Sequence, residues 1–221
     1  MNMGNLNRGG RKRIRKVNNR EIAPAYCLIV TEGKKTEVNY FENIKQIINK
    51  NYSERVKIEK IDLEVKGLGK GTCALVREAV KIRSLENYSE VWVVFDKDDF
   101  MDFDTAIKLA RDEGLNVAWS NESFELWILL HFQDLSSAIN RKMYESKLNN
   151  HFKKLNFNNG KYEKNIENIF ELIKGNTSLA IERSNKLLEM HKCNGIKECS
   201  KMNPATTVQD LVSILLPYVE Y

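Results

Sequence analysis

Three carboxylates that are distant in sequence stand where a metal site would need them. Glu32 follows the apolar run of residues 25–30, and Asp96 and Asp98 follow the run of residues 91–95. Short apolar runs of this kind read as strands buried on both faces. In an open parallel sheet the ligand crevice lies beyond the carboxyl ends of the strands. Residues directly after two such strands therefore meet there. Alternation along an extended segment sets Asp96 and Asp98 on one side, with Lys97 turned away. Carboxylate and water oxygens suit Mg2+ or Mn2+, and close carboxylates repel one another unless a cation sits among them. The expected metal ligands are Glu32, Asp96, Asp98 and Asp99. Such a site polarises phosphoryl oxygens, which is phosphodiester chemistry. The competing assignment is helix capping, because Asp98, Asp99, Asp102 and Asp104 all stand at the start of the stripe Phe103, Ala106, Ile107, Ala110.

Chemistry on a phosphodiester needs further groups. Lys34 and Lys35 lie beside Glu32 and could neutralise a phosphate or stabilise a leaving oxygen. Lys34 is expected in catalysis and Lys35 in substrate binding. Glu125 is a carboxylate within the apolar stretch Phe124–Leu130, so it needs a partner or a purpose. It either faces the site or pairs with a buried cation. Ser120 and Asn121 follow a fourth apolar run at the same sheet end and could contact substrate or cap the next helix. Glu37 is read as serving the dipole of the first helix, with metal ligation the alternative. His131 reads as a hydrogen-bonded core residue. Gly67-x-Gly69-x-Gly71 lacks the P-loop pattern and reads as a turn.

The elements that must carry these residues follow from hydrophobic period. Residues 25–30, 56–65, 91–95 and 115–119 read as strands, the second with a bulge. Helical stripes lie between them: Tyr40, Phe41, Ile44, Ile47 and Ile48, then Leu75, Val76, Ala79 and Ile82, then the Phe103 stripe. The segment Phe124–Leu130 is apolar nearly all round and should be buried. The order β-α-β-α-β-α-β-α predicts an α/β fold with a four-stranded parallel sheet flanked by helices. A helical extension follows. In it, residues 147–162, rich in Asn and Lys, read as a mobile loop, residues 179–190 as a helix, and Val208–Leu216 as a last helix with Thr207 and Asp210 as a capping pair. The expected organisation is a tail at 1–20, a catalytic domain at 21–133 and an extension at 134–221.

Composition narrows the function classes. The net charge of +5 is unevenly placed. Residues 1–20 carry seven basic side chains, Arg11, Arg13 and Arg15 among them, and no acid, whereas the rest of the chain has 28 basic against 30 acidic. Such a tail is expected to be disordered alone. It either docks a polyanion, with Arg11, Arg13 and Arg15 touching phosphates, or keeps the terminus solvated. No run approaches the roughly 18 uncharged apolar residues of a membrane helix, and no apolar segment follows the basic start. A cytoplasmic protein is expected. Cys27, Cys73, Cys193 and Cys199 show no C-x-x-C spacing, and His191, Cys193 and Cys199 lack a fourth zinc ligand. Free thiols are the expected state.

Four segments resemble the RloB-like family. They are Ile29-Val30-Thr31-Glu32-Gly33-Lys34-Lys35-Thr36-Glu37 with Tyr40-Phe41; Val94-Phe95-Asp96-Lys97-Asp98-Asp99; Ser120-Asn121-Glu122-Ser123-Phe124-Glu125-Leu126-Trp127 with Leu129-Leu130-His131-Phe132; and Asn203-Pro204-Ala205-Thr206-Thr207-Val208. The resemblance implies a Toprim-like fold, with Glu32, Asp96 and Asp98 holding magnesium. It also implies a prokaryotic protein found near defence genes, often beside an ATPase partner. Asp99 departs from the simple D-x-D pattern. The expected function is a metal-dependent nuclease effector of phage defence, cleaving DNA or RNA, tRNA included. The alternative is a non-catalytic nucleic-acid-binding or regulatory Toprim module working with an ATPase. A haloacid-dehalogenase-type phosphatase would place its acids after strand one instead.

Overall fold

The computed structural model describes residues 26–32, 35–52, 56–60, 72–97 and 101–219. Strand β1, Cys27–Thr31, is buried at every position. It pairs in parallel with β2, Val56–Lys60, on one side and with β3, Glu90–Lys97, on the other. Strand β4, Asn116–Asn121, pairs in parallel with β3. The order is therefore β2-β1-β3-β4. This is the α/β fold with an all-parallel sheet that the periodicity predicts. The bulge expected after Val56 and the glycine turn fall within residues 61–71, outside the described residues.

Helices cover both faces, which is why the strands are apolar runs rather than alternating patterns. Helices α2, Thr72–Arg83, and α3, Phe103–Asp112, pack on Leu28, Val30, Val91, Val93 and Phe95. Helices α1, Thr36–Tyr52, and α4, Glu125–Leu130, pack on the opposite face, against Ile29, Trp92 and Val94. The chain thus leaves β1 towards β2 and later returns to β3 on the other side of β1. The order reverses between β1 and β3, and a crevice forms at their carboxyl ends.

The extension adds α5, Arg141–Leu155, α6, Ile169–Ile173, α7, Thr177–Cys193, and α8, Val208–Leu215. Most of its buried residues join the α1 face of the core in one cluster with the sheet, while Met202 and Ala205 pack on the opposite face. The mobile loop expected at residues 147–162 is mostly α5 instead. Tyr144, Leu148 and Phe152 form a buried stripe at i, i+4, i+8, and the Asn and Lys residues that suggested a loop cover much of the rest of the helix. Asn140 caps this helix, its side chain accepting the Met143 N–H at 3.1 Å. The Thr207–Asp210 capping pair does not form. Thr207 spends its hydroxyl on the Trp119 N–H at 3.0 Å, and the Val208 N–H bonds Thr206 Oγ1 at 3.2 Å. Thr206 bridges Ser120 in antiparallel fashion, so the segment around Ala205–Thr207 covers the open edge of β4.

The four cysteines are free thiols. His191 is buried, with Nε2 3.0 Å from the Pro204 carbonyl, which ties α7 to that same segment. Among the described residues no helix is long and apolar enough to cross a membrane.

Candidate functional site

Strand alternation decides where Asp96 points. Trp92 and Val94 belong to the α1 face of the core, and two residues on, Asp96 falls on the same face. The first turns of α1 and α4 end there, bringing Glu37 and Glu125 beside it. A ring cluster fixes the two helices together. Tyr40 meets Phe124 edge-on at 5.6 Å and Trp127 at 6.3 Å between centroids. The three acids line one cleft of about 220 Å³, with Lys35 and Thr36 on its wall.

Each acid is held by a different device. Asp96 Oδ2 accepts the Phe124 N–H at 3.1 Å, so a strand residue anchors the start of α4. Glu125 is 3% exposed. Its Oε1 accepts from Tyr162 OH at 3.0 Å and from Thr36 Oγ1 at 3.4 Å, and Lys164 Nζ lies 3.5 Å away. Lys164 also reaches Glu145 at 3.3 Å. Glu37 accepts its own backbone N–H and is half-buried. Desolvation dominates its electrostatics and the Glu125 charge adds to it, raising its pKa to about 7 against the pull of Lys164. Burial also raises the Asp96 carboxyl well above its ordinary range, and the charges of Glu37 and Glu125 push the same way. The Phe124 N–H and Arg141 oppose that shift without overcoming it. Desolvation and the facing charges thus favour the protonated forms of Asp96 and Glu37.

The other expected site residues are distributed as follows. Glu32 stands half-buried one step beyond β1, its N–H donating to the Val94 carbonyl at 3.1 Å, which sets it next to Phe95 in the ladder. Lys35 is exposed at the cleft. Ser120 is fully buried, its hydroxyl 3.0 Å from Thr206 Oγ1. That pairing gives it a role in closing the sheet edge. Asn121 lines a second, larger groove next to the cleft, with Nδ2 donating to the Ser200 carbonyl at 3.2 Å. Asp98, Asp99, Lys34, Arg11, Arg13 and Arg15 lie outside the described residues. Asp102 and Asp104 do cap, though not their own helix. Asp102 accepts the Thr72 and Cys73 N–H groups at 3.2 and 2.8 Å, closing the start of α2. Asp104 accepts from the N–H and hydroxyl of Ser200. His131 is a core residue, its Nδ1 3.0 Å from the Trp127 carbonyl, and burial lowers its pKa to about 4.

Sequence reasoning passed over Ser123, Arg141, Tyr162 and Lys164. Ser123 lay inside a quoted motif, and its position between Asn121 and Glu125 was the available signal. Tyr162 and Lys164 carry no local signal, since they reach the site from about 37 and 39 residues beyond Glu125 through the fold of the extension.

A divalent cation can be tested against these residues. The donors are hard oxygens, which suits Mg2+ or Mn2+. Ser123 Oγ is buried on the wall of the acid-lined cleft without a hydrogen-bond partner among the described residues. A sealed hydroxyl beside mutually repelling carboxylates fits a hydrated cation, which would satisfy both. Among the described residues no three His, Cys, Asp or Glu side chains form a metal-binding group. A full ligand set would therefore draw on Asp98 or Asp99.

The fold and cleft define a class: an α/β protein with an acidic crevice at the reversal point of a parallel sheet. The RloB-like protein family model matches residues 27–215, and the chain belongs to that family. No curated protein matches the chain.

Proposed function

We propose that this chain is a metal-dependent nuclease of the Toprim type, acting as an effector in prokaryotic phage defence. The observation that carries the reading is the convergence of Asp96, Glu37 and Glu125 in one desolvated cleft, with raised proton affinity at Asp96 and Glu37. Glu32 and Asp96, with Asp98 and Asp99, are the ligands the reading assigns to Mg2+ or Mn2+. The bound ion would supply polarisation of a phosphoryl oxygen and activation of water. Burial and the Glu125 charge raise the Glu37 carboxyl in the metal-free chain, which makes it the candidate proton acceptor of the site. Ser123 offers a hydroxyl to a water or a phosphate oxygen. Lys35 and Arg141 place positive charge at the cleft, where a phosphodiester would lie. The substrate class is DNA or RNA, tRNA included, and the work is done beside an ATPase partner.

Calorimetric titration of Mg2+ and Mn2+ into wild type and Asp96→Asn, with labelled DNA and tRNA in parallel, tests the reading. Metal binding and metal-dependent cleavage are expected in the wild type, with both lost in the variant. Equal metal binding or equal cleavage by the two proteins would sink it. A second reading has one observation in its favour: the Lys164 ammonium already lies against Glu125. On that reading the chain is a non-catalytic nucleic-acid-binding or regulatory module, and it binds nucleic acid without cutting.

A further inference from the structure

A groove larger than the acidic cleft adjoins it. It measures about 570 Å³, within the range of a nucleotide-sized ligand. Its floor is the end of β3 and β4, at Lys97 and Asn121. One wall is the cap and first turn of the fifteen-residue helix α5, at Asn140, Arg141 and Lys142. The other wall is Ser200 and Asn203. Arg141 lines both cavities, so the groove and the cleft adjoin there.

Four features set the chemistry of the occupant. First, the start of α5 brings a helix dipole and first-turn N–H groups to the wall, which favours an anion. Second, Arg141 and Lys142 are both exposed, and no ion pair to either occurs among the described residues. Arg141 is oriented by backbone alone, its Nε donating to the Glu122 carbonyl at 2.6 Å and its Nη2 lying 3.4 Å from the Lys97 carbonyl. Its charge acts on Asp96 at a distance and is tied to no carboxylate by an ion pair among the described residues. Third, Asn121 is 3% exposed yet lines the groove. With Nδ2 committed to Ser200, its Oδ1 accepts no hydrogen bond among the described residues and can accept from a sugar hydroxyl. Fourth, among the described residues the lining holds no aromatic ring on which a base could stack. Glu122 is the one acid among these residues, and its Oε1 accepts from Asn203 Nδ2 at 3.3 Å.

We infer that this groove holds the phosphate–sugar backbone of a nucleic-acid strand next to the linkage in the acidic cleft, with Arg141 and Lys142 contacting phosphates and without readout of base sequence. The inference deepens the nuclease reading and rests on it for the direction of the strand, but it is tested without metal or cleavage.

The test measures binding of a fluorescein-labelled twelve-nucleotide oligothymidylate, and of a mixed-sequence strand of equal length, to the full chain in EDTA over a range of salt. Lys142 is exposed and makes no hydrogen bond among the described residues, so Lys142→Gln is compared first, followed by Arg141→Gln/Lys142→Gln. Lys186→Gln, on α7 and paired with Glu182, is the charge-matched control. Circular dichroism checks that each variant is folded. The single variant should bind about threefold more weakly and the double variant about tenfold. Their salt slopes should fall by about 0.7 and 1.4, one single-strand phosphate contact each. The basic tail contributes equally to every protein, so the differences isolate the groove. Equal affinity and slope in wild type and Lys142→Gln, or an equal loss in Lys186→Gln, would overturn the inference. A tenfold preference between the two strands would overturn the claim that bases go unread. Metal binding by Asp96 is read separately by calorimetry, so failure of the nuclease reading leaves this result standing.

Discussion

Asp96 combines two duties in one carboxylate. It anchors the first N–H of α4, and it faces Glu37 and Glu125 across a desolvated cleft. The consequence is a pH dependence whose sign follows from linkage. A carboxyl with a raised folded pKa binds its proton more tightly folded than unfolded, so stability falls as pH rises through the window between the two values. For Glu37 that window runs from the unfolded range near 4.3 up to about 7. His131 acts in the opposite direction, and because half of it is still protonated in the unfolded chain at pH 6.5 it offsets the acids by about 0.4 kcal/mol between pH 6.5 and 8. In EDTA, Glu37 contributes a loss of about 0.8 kcal/mol over that range, seen after the His131 offset as a melting temperature lower by roughly 1–2 °C. Glu37→Gln should make the profile shallower, leaving the part due to Asp96, and added Mn2+ should reverse the loss at pH 8. A wild-type profile that stays flat in EDTA would contradict the repulsion. Tyr162→Phe removes the shortest donor to buried Glu125 and should destabilise the protein by about 1.5–3 kcal/mol in urea unfolding.

At the level of elements, caps supplied from elsewhere in the chain hold the site together. Asp102 closes α2 from the loop before α3. Burial works against its charge, yet the N–H donors of Cys73 and Thr72 hold its carboxyl below the ordinary range. Asp102→Ala should therefore cost about 1–2 kcal/mol at pH 7, with the difference vanishing as pH falls through the folded pKa. Chemical denaturation at two pH values reads this directly. Helix α4 has six residues and no side-chain cap of its own, so its place depends on packing. Trp127→Ala should cost about 3–5 kcal/mol and, by releasing Tyr40, should loosen the approach of Glu37 to Glu125.

For the molecule as a whole, the extension completes the cleft. Tyr162 and Lys164 both touch Glu125, and Asn43 on α1 donates to the Glu167 carbonyl while accepting the Phe170 N–H. The acidic cleft is thus built by residues on both sides of position 133. Lys164 is half exposed, so its pairing is worth at most about 1 kcal/mol. Lys164→Met should tighten Mn2+ binding by up to about fivefold, measured calorimetrically. Deleting residues 1–20 should lower the salt slope of nucleic-acid binding by up to about six if all seven basic residues engage phosphates.

The sheet and the place of the site were legible because both follow from local pattern. Apolar runs such as Val91–Phe95 declare buried parallel strands, and a residue directly after a strand must lie at its carboxyl end. That logic placed Asp96 without a structure, and the apolar surroundings of Glu125 marked it as a carboxylate needing partners. Loop composition misled at residues 147–162, where one buried residue per turn suffices for a packed helix and the remainder is free to be Asn or Lys. Whether Asp102 would cap α3 or α2, whether Ser120 would face a substrate or Thr206, and which cation would meet Glu125 had no local answer. Those choices depend on which distant segment packs against which. Burial of apolar surface across the whole chain settles that packing, and the polar groups then pair with whatever neighbours it brings within reach.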